Sequence, residues 1–163
     1  MNIAIETHNL ARHHRDVKAL DGATFTITEN TITGLLGRNG AGKTTFMALA
    51  TGQDRPTSGT LKVFGREPFE HAEIVEQMCF IRDNQRYPDD YKLKQTLRAA
   101  ALSFPNWDAA YADHLVKMFR IPQKTAVTKL SRGQFSALGI VVGLASRARI
   151  TSFDEPYLGL DAT

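Results

Sequence analysis

The stretch Gly37-Arg38-Asn39-Gly40-Ala41-Gly42-Lys43-Thr44-Thr45 restricts this chain more than any other. It fits the phosphate-loop pattern G-x-x-x-x-G-K-[ST]. In that pattern the glycines let the backbone curl round an anion, with successive N–H groups facing inward. A helix that starts at the loop adds the positive end of its dipole. Lys43 then reaches the β- and γ-phosphates of a nucleotide, and the Thr44 hydroxyl sits on Mg²⁺. The surroundings suit such a loop. Thr31 to Leu36 is apolar and β-branched enough for a strand, and Thr45 to Thr51 reads as a helix. A glycine-rich turn ahead of an ordinary helix is the plainer alternative.

The remaining composition narrows the class. With 163 residues, 23% charged and 42% hydrophobic, the chain reads as a globular domain with a sizeable core. A formal charge of +3 is small for this length, and no basic run exceeds a few residues, so no nucleic-acid partner is expected. The lone Cys79 excludes an internal disulfide and fits a reducing compartment. It lies in the apolar run Met78-Cys79-Phe80-Ile81, where a buried, inert thiol is expected. The longest apolar run, Ala137 to Ala145, is about half of the ~20 residues that a membrane-crossing helix needs. No basic flank precedes an apolar region at the N-terminus, so a cytoplasmic location is the default.

Periodicity and turn signals divide the chain. Asn2 to Thr7 and Ala23 to Thr28 read as strands of a small antiparallel sheet, with Leu10 to Asp16 as a polar turn between them. After the loop's helix, Pro56-Thr57-Ser58-Gly59 is a turn and Thr60 to Phe64 a strand. Glu67 to Gln77 is expected to be helical and Met78 to Arg82 a strand. Lys92 to Ser103 and Trp107 to Phe119 carry helical spacing, parted by Pro105-Asn106, which breaks one helix and can cap the next. A long apolar helix to about Ser146 follows Leu130-Ser131-Arg132-Gly133-Gln134, and Arg149 to Phe153 is β-prone. Strands alternating with helices predict an α/β core.

Two further motifs carry chemistry. Asp154-Glu155 ends the strand Ile150-Thr151-Ser152-Phe153, and ligands of open parallel sheets bind at that end of the strands. In a phosphoryl-transfer site the first carboxylate holds Mg²⁺ and the second polarises the attacking water. The plainer alternative is an acidic pair closing a buried strand. In Leu130 to Gln134, Ser131 can cap the next helix, Gly133 permits an anion to approach, and the helix N-terminus favours negative charge. Equally, it is a well-capped amphipathic helix and no more.

Taken in order, these residues resemble the ATP-binding cassette (ABC) ATPases. The family shares a phosphate loop, then Leu-Ser-x-Gly-Gln, then an apolar strand ending Asp-Glu-Pro, then Gly-Leu-Asp. Ser131 stands 23 residues before Asp154, which also fits. Ala19-Leu20-Asp21-Gly22 and Thr51-Gly52…Pro56-Thr57-Ser58-Gly59 are similar as well, and the resemblance covers nearly the whole chain. Phe104-Pro105-Asn106-Trp107-Asp108 further resembles the nucleotide-binding subunits of bacterial ABC-2-type exporters.

The resemblance implies a P-loop NTPase fold with a RecA-like parallel-sheet core, an N-terminal antiparallel β subdomain and an inserted helical subdomain. The expected division is 1–86 for the β subdomain and P-loop core, 87–130 for the helical subdomain, and 131–163 for the signature helix, the Asp-Glu strand and the Gly-Leu-Asp loop. It implies ATP and Mg²⁺, with ATP sandwiched in a head-to-tail homo- or heterodimer with a second nucleotide-binding domain. Gly37, Arg38, Asn39, Gly40, Ala41, Gly42, Lys43, Thr44 and Thr45 of one chain hold one face of the nucleotide. Ser131, Arg132, Gly133 and Gln134 of the other chain present themselves to the γ-phosphate. Thr44 and Asp154 serve the metal, Glu155 is the catalytic carboxylate, and Asp161 lies in the dimer-spanning loop. A transmembrane permease subunit is the implied partner, docked through the helical subdomain, which places the chain on the inner face of the membrane.

Several positions depart from the family pattern. The adenine-stacking aromatic falls at His14, or at His13 if the register slips by one. A glutamine that touches Mg²⁺ and the lytic water follows a strand in the family. Here Phe80-Ile81-Arg82-Asp83-Asn84-Gln85 puts Asp83 at that position by strict alignment, and Gln85 by a two-residue slip; Gln85 is the candidate. Arg132 stands where the signature's first glycine is usual, and Tyr157-Leu158 where Thr-Ser is common. A further strand ending in a γ-phosphate-sensing histidine is expected downstream of Thr163, so the sequence reads as part of a longer subunit, with weak or no turnover by itself.

The competing readings are a phosphate-loop kinase or GTPase, a non-hydrolysing nucleotide-binding or regulatory module, and a soluble ABC ATPase without a membrane partner. The first lacks an Asn-Lys-x-Asp guanine reader and leaves Leu130 to Gln134 unexplained. The second is favoured by the irregular glutamine segment and opposed by the intact Glu155.

Overall fold

In a computed structural model, residues 2–82 and 85–155 are described. The chain divides into two compact units, Met1–Gln77 and Met78–Thr163.

The first unit is built on a hairpin of two 12-residue strands, β1 (Ile3–His14) and β2 (Val17–Thr28). They pair antiparallel, and β3 (Ser58–Val63) joins on the other side of β1, giving the order β2-β1-β3. The strands are longer than their sequence pattern suggests. Between Thr7 and Leu10 the register with β2 shifts, and Asn9 takes a left-handed φ of 45°. Such a bulge breaks the two-residue alternation without ending the strand, so Thr7, Leu10 and Ala11 are all buried. The expected turn over Leu10 to Asp16 is therefore corrected. Strand pairing runs on to His14↔Val17, and Arg15-Asp16 alone makes the turn. Helix α1 (Lys43–Ala50) lies on this sheet, with Phe25 of β2 edge-on to Phe46 at 5.0 Å.

Two more expectations in this unit fail. Thr31 to Leu36 has no strand structure, and Ile32 and Leu36 are fully or almost fully exposed, at 106% and 93%. A strand needs a neighbour to take its N–H and C=O groups, and none of the described strands pairs with this segment. Glu67 to Gln77 forms only the short helix α2 (Ala72–Val75). Pro68 and a left-handed Glu70 (φ 60°) keep the preceding residues out of a helical path.

The second unit carries the parallel pair β4 (Met78–Ile81) and β5 (Ile150–Phe153). Helices α3 (Leu93–Ser103), α4 (Ala109–Met118) and α5 (Arg132–Ala145) surround one apolar core. Its centre holds Leu138, Val141, Ala145 and Val127, each at most 1% exposed. Fully burying a Leu or Val side chain contributes about 1.5–3 kcal/mol. Helix α5 lies against both strands because it presents glycine to them. A Cβ on Gly139 would stand 2.8 Å from Ile81, and one on Gly143 2.6 Å from the Phe153 ring.

Helix α4 starts at a cap other than the expected Pro105-Asn106, which forms a turn. Asp108 is the cap: its Oδ1 accepts from the Tyr111 N–H at 2.8 Å. Its Oδ2 accepts from Arg147 Nε and Nη2 at 3.2 and 2.8 Å, and the Asp108 N–H donates to the Ala145 carbonyl at 2.9 Å. The same guanidinium lies over the Tyr111 ring, 4.3 Å from its centre. The start of α4 is thus tied to the end of α5.

Candidate functional site

The phosphate-loop residues of the first unit form an exposed loop that leads directly into α1. Gly42 is the residue before the helix, with φ 87°, and no side chain caps the N-terminus. A Cβ at Gly42 would overlap the Ala19 carbonyl oxygen and press on Leu20. Both the left-handed φ and this close approach require glycine. The first N–H groups of a helix have no intrahelical partner, so the uncapped start of α1 offers donors and positive dipole to an anion. The Ala41 N–H donates to the Arg38 carbonyl at 3.0 Å, tightening the loop. Lys43 Nζ donates to the carbonyls of Gly37 and Arg38, at 2.8 and 3.1 Å, so the ammonium is held over the loop. Thr44 is exposed one residue further on.

His14 ends β1 at the tip of the hairpin, half-exposed, with Nε2 3.9 Å from Asp54 Oδ2. Arg12 Nε donates to the same oxygen at 2.8 Å. Burial acts to raise the Asp54 pKa. The bonds from Arg12 and from the Arg55 N–H, with the Arg12 and His14 charges, outweigh it and hold the carboxyl below the usual range. His13 instead pairs with Asp21, at 3.3 Å.

In the second unit, Asp154 continues the parallel ladder beyond β5, its N–H donating to the Ile81 carbonyl at 2.9 Å. Glu155 follows in a left-handed conformation, φ 51°. Both carboxylate residues border a cavity of about 20 Å³ that Gln85, Tyr87, Phe135 and Ser136 also line. Gln85, in the segment after β4, thus lines the same cavity as the Asp-Glu pair; Asp83, the alternative, lies outside the described residues, as does Asp161.

At the start of α5 the capping box is complete. The Gln134 N–H donates to Ser131 Oγ at 3.2 Å, and the Ser131 N–H donates to Gln134 Oε1 at 3.1 Å. Ser131 and Arg132 are exposed, while Gly133 and Gln134 are half-buried.

Comparison with known proteins decides the family. The family model described as ABC transporter matches residues 20–158, most of the chain. The chain belongs to the ABC transporter family. Among the curated relatives of this ABC domain is the ABC transporter ATP-binding protein YtrB of Bacillus subtilis, 31% identical over 158 residues. That match covers 97% of this chain and 54% of the relative. The bacitracin transport ATP-binding protein BcrA of Bacillus licheniformis is 29% identical over 164 residues, covering 99% of this chain and 54% of that protein. The ABC domain thus spans about half the length of these relatives. A solved ATP-binding subunit of an ABC transporter superposes with a TM-score of 0.84 at 24% identity, covering 98% of this chain and 69% of that one. This likeness establishes the shared P-loop NTPase fold. ABC ATPases as a family bind ATP, hydrolyse it, and work with transmembrane components. No helix among the described residues of the ABC domain is long and apolar enough to cross a membrane.

Some residues that shape the site were not singled out by their sequence. Tyr87 and Phe135 meet edge-on at 5.5 Å although they lie far apart in the chain. Gly139 and Gly143 do carry a local signal, small residues four apart on an apolar helix.

Proposed function

We propose that this chain is the ATP-binding part of a transporter subunit, which binds Mg-ATP at Gly37–Thr45 and hydrolyses it in a head-to-tail dimer to drive a membrane partner. The observation that carries the binding half of this reading is the uncapped start of α1 behind a left-handed Gly42. A helix N-terminus with no side-chain cap suits phosphate oxygens, and Lys43, which donates to loop carbonyls at 2.8 and 3.1 Å, exchanges those acceptors for phosphate. The Thr44 hydroxyl and the Asp154 carboxylate are hard oxygen donors of the kind Mg²⁺ takes. Mg²⁺ held by such residues would supply neutralisation of the phosphate charge.

Glu155 accepts a proton from the attacking water, and Gln85 orients that water through its amide. The lining of one cavity by both residues supports this assignment of Gln85. Ser131, Arg132, Gly133 and Gln134 of a second copy or a related domain close the other face of the nucleotide, again with helix N-terminal dipole facing phosphate. His14 lies against the adenine, and Asp161 belongs to the dimer contact. The helical segment 87–130 meets the transmembrane partner, so the subunit works at the cytoplasmic face of a membrane.

The test is Glu155→Gln in the full-length subunit, measured by steady-state ATP turnover and by size in the presence of Mg-ATP. Loss of a general base lowers turnover by about 10²–10⁴-fold, while ATP-bound dimers accumulate. Turnover equal to the parent protein's overturns the role of Glu155.

A further inference from the structure

Gln85 and Tyr87 line the cavity beside Asp154 and Glu155 together with Arg82, and each of the first two carries a buried polar atom. Gln85 Oε1 and Tyr87 Oη are both buried, and neither has a hydrogen-bond partner among the described residues. A desolvated donor or acceptor left unpaired is costly, so buried polar groups are as a rule paired with protein or with ordered water. A buried water needs about 10–15 Å³ and two to four polar partners. The cavity, about 20 Å³, is large enough for one, and its polar lining is Arg82, Gln85, Tyr87, Ser136, Asp154 and Glu155.

Tyr87 is itself held in place. Its ring meets that of Phe135 edge-on, 5.5 Å between centres and 69° between planes. Phe135 directly follows Gln134 of the α5 capping box, and its N–H donates to the Ser131 carbonyl at 2.8 Å. A T-shaped aromatic contact adds directional packing to area burial. The ring thus anchors the segment after β4 to the first turn of α5. Burial, helped by the nearby Cys79, lifts the Tyr87 phenol to about 12. The group stays a neutral O–H, able to donate one hydrogen bond and accept others.

We propose that Tyr87 is a positioning residue: braced by Phe135, its hydroxyl holds the Gln85 side chain beside Glu155 through one buried water. The proposal rests on the reading of Gln85 and Glu155 as hydrolytic residues. It adds a direct link by which the α5 N-terminus, offered above as the contact for the opposite nucleotide, sets the position of Gln85. When the first turn of α5 shifts, Phe135 and Tyr87 carry the shift to the glutamine.

A double-mutant cycle in the full-length subunit tests it, with Tyr87→Phe, Gln85→Ala and both together, read as kcat and KM for Mg-ATP alongside the melting temperature. Tyr87→Phe keeps the ring on Phe135 and removes only the hydroxyl. The expected result is a fall in kcat of about five- to tenfold, the weight of one neutral hydrogen bond, with KM unchanged. In the Gln85→Ala background the same change lowers kcat less than about twofold, because residues that act through one another do not add. Additive losses in the double variant, or a drop in melting temperature with unaltered kcat, overturn the positioning role and leave Gln85 standing. A Gln85→Ala variant with full turnover overturns the hydrolytic reading of Gln85 itself, and the proposal with it.

Discussion

Gly143 lies directly under the ring of Phe153: a Cβ at position 143 would stand 2.6 Å from both Cε1 and Cζ. Real Cβ atoms do not come so close, so a side chain at 143 would force the Phe153 ring or helix α5 to shift. The consequence reaches the site, since Phe153 is followed immediately by Asp154 and Glu155. Gly143→Ala is expected to destabilise the protein by about 1–3 kcal/mol, the usual cost of overpacking a filled core. Urea unfolding measures it. A stability unchanged within about 0.5 kcal/mol contradicts the packing account.

The Asp108 cap makes stability depend on acid. The Tyr111 backbone N–H and then the Arg147 guanidinium favour the ionised carboxyl and hold its pKa below the ordinary value. A carboxyl whose folded pKa is depressed stabilises the native state above its unfolded pKa of about 3.9. That contribution falls away as the pH drops through the lower, folded value. Asp108→Asn should therefore unfold more easily than the parent at pH 6, and the difference should shrink as the pH is lowered below 4. Thermal melts across this range report it, and a gap that widens toward acid contradicts the assignment.

Cys79 is expected to be silent toward thiol reagents in the folded protein. It is 3% exposed, and burial raises its pKa to about 11, partly offset by the hydrogen bond with Ser146. Only the thiolate attacks. Labelling with a disulfide reagent at pH 8 should follow the unfolding equilibrium, with urea accelerating it sharply. Rapid labelling of the native protein contradicts the burial.

What was legible in the sequence is what depends on neighbours in the chain. The phosphate loop and its helix are local, and so is the Ser131–Gln134 capping box, whose partners are three residues apart. The long helix from the signature and the strand ending at Asp154 also stand where periodicity puts them. The exceptions share a physical cause. Strand β1 looked half its length because the bulge at Asn9 disturbs the alternation on which strand recognition depends. The cap of α4 was placed at Pro105-Asn106 because Arg147, which selects Asp108, lies 39 residues away. Thr31 to Leu36 has strand composition, but composition does not supply a hydrogen-bonding neighbour. Tyr87 and Phe135 give no local sign of each other, and their contact exists only once α5 is folded against the segment after β4.

Gly37–Thr45 is read here as the phosphate grip of an ATP-binding domain. Calorimetric titration of the parent protein and of Lys43→Ala with Mg-ATP tests it most directly. Lys43 donates two hydrogen bonds within the loop and is not one of the buried core residues, so its replacement should leave the fold intact. One saturable site is expected in the parent and an affinity lowered by about tenfold or more in the variant, as loss of a charge-assisted bond to phosphate requires. Undiminished affinity for Mg-ATP in Lys43→Ala contradicts it.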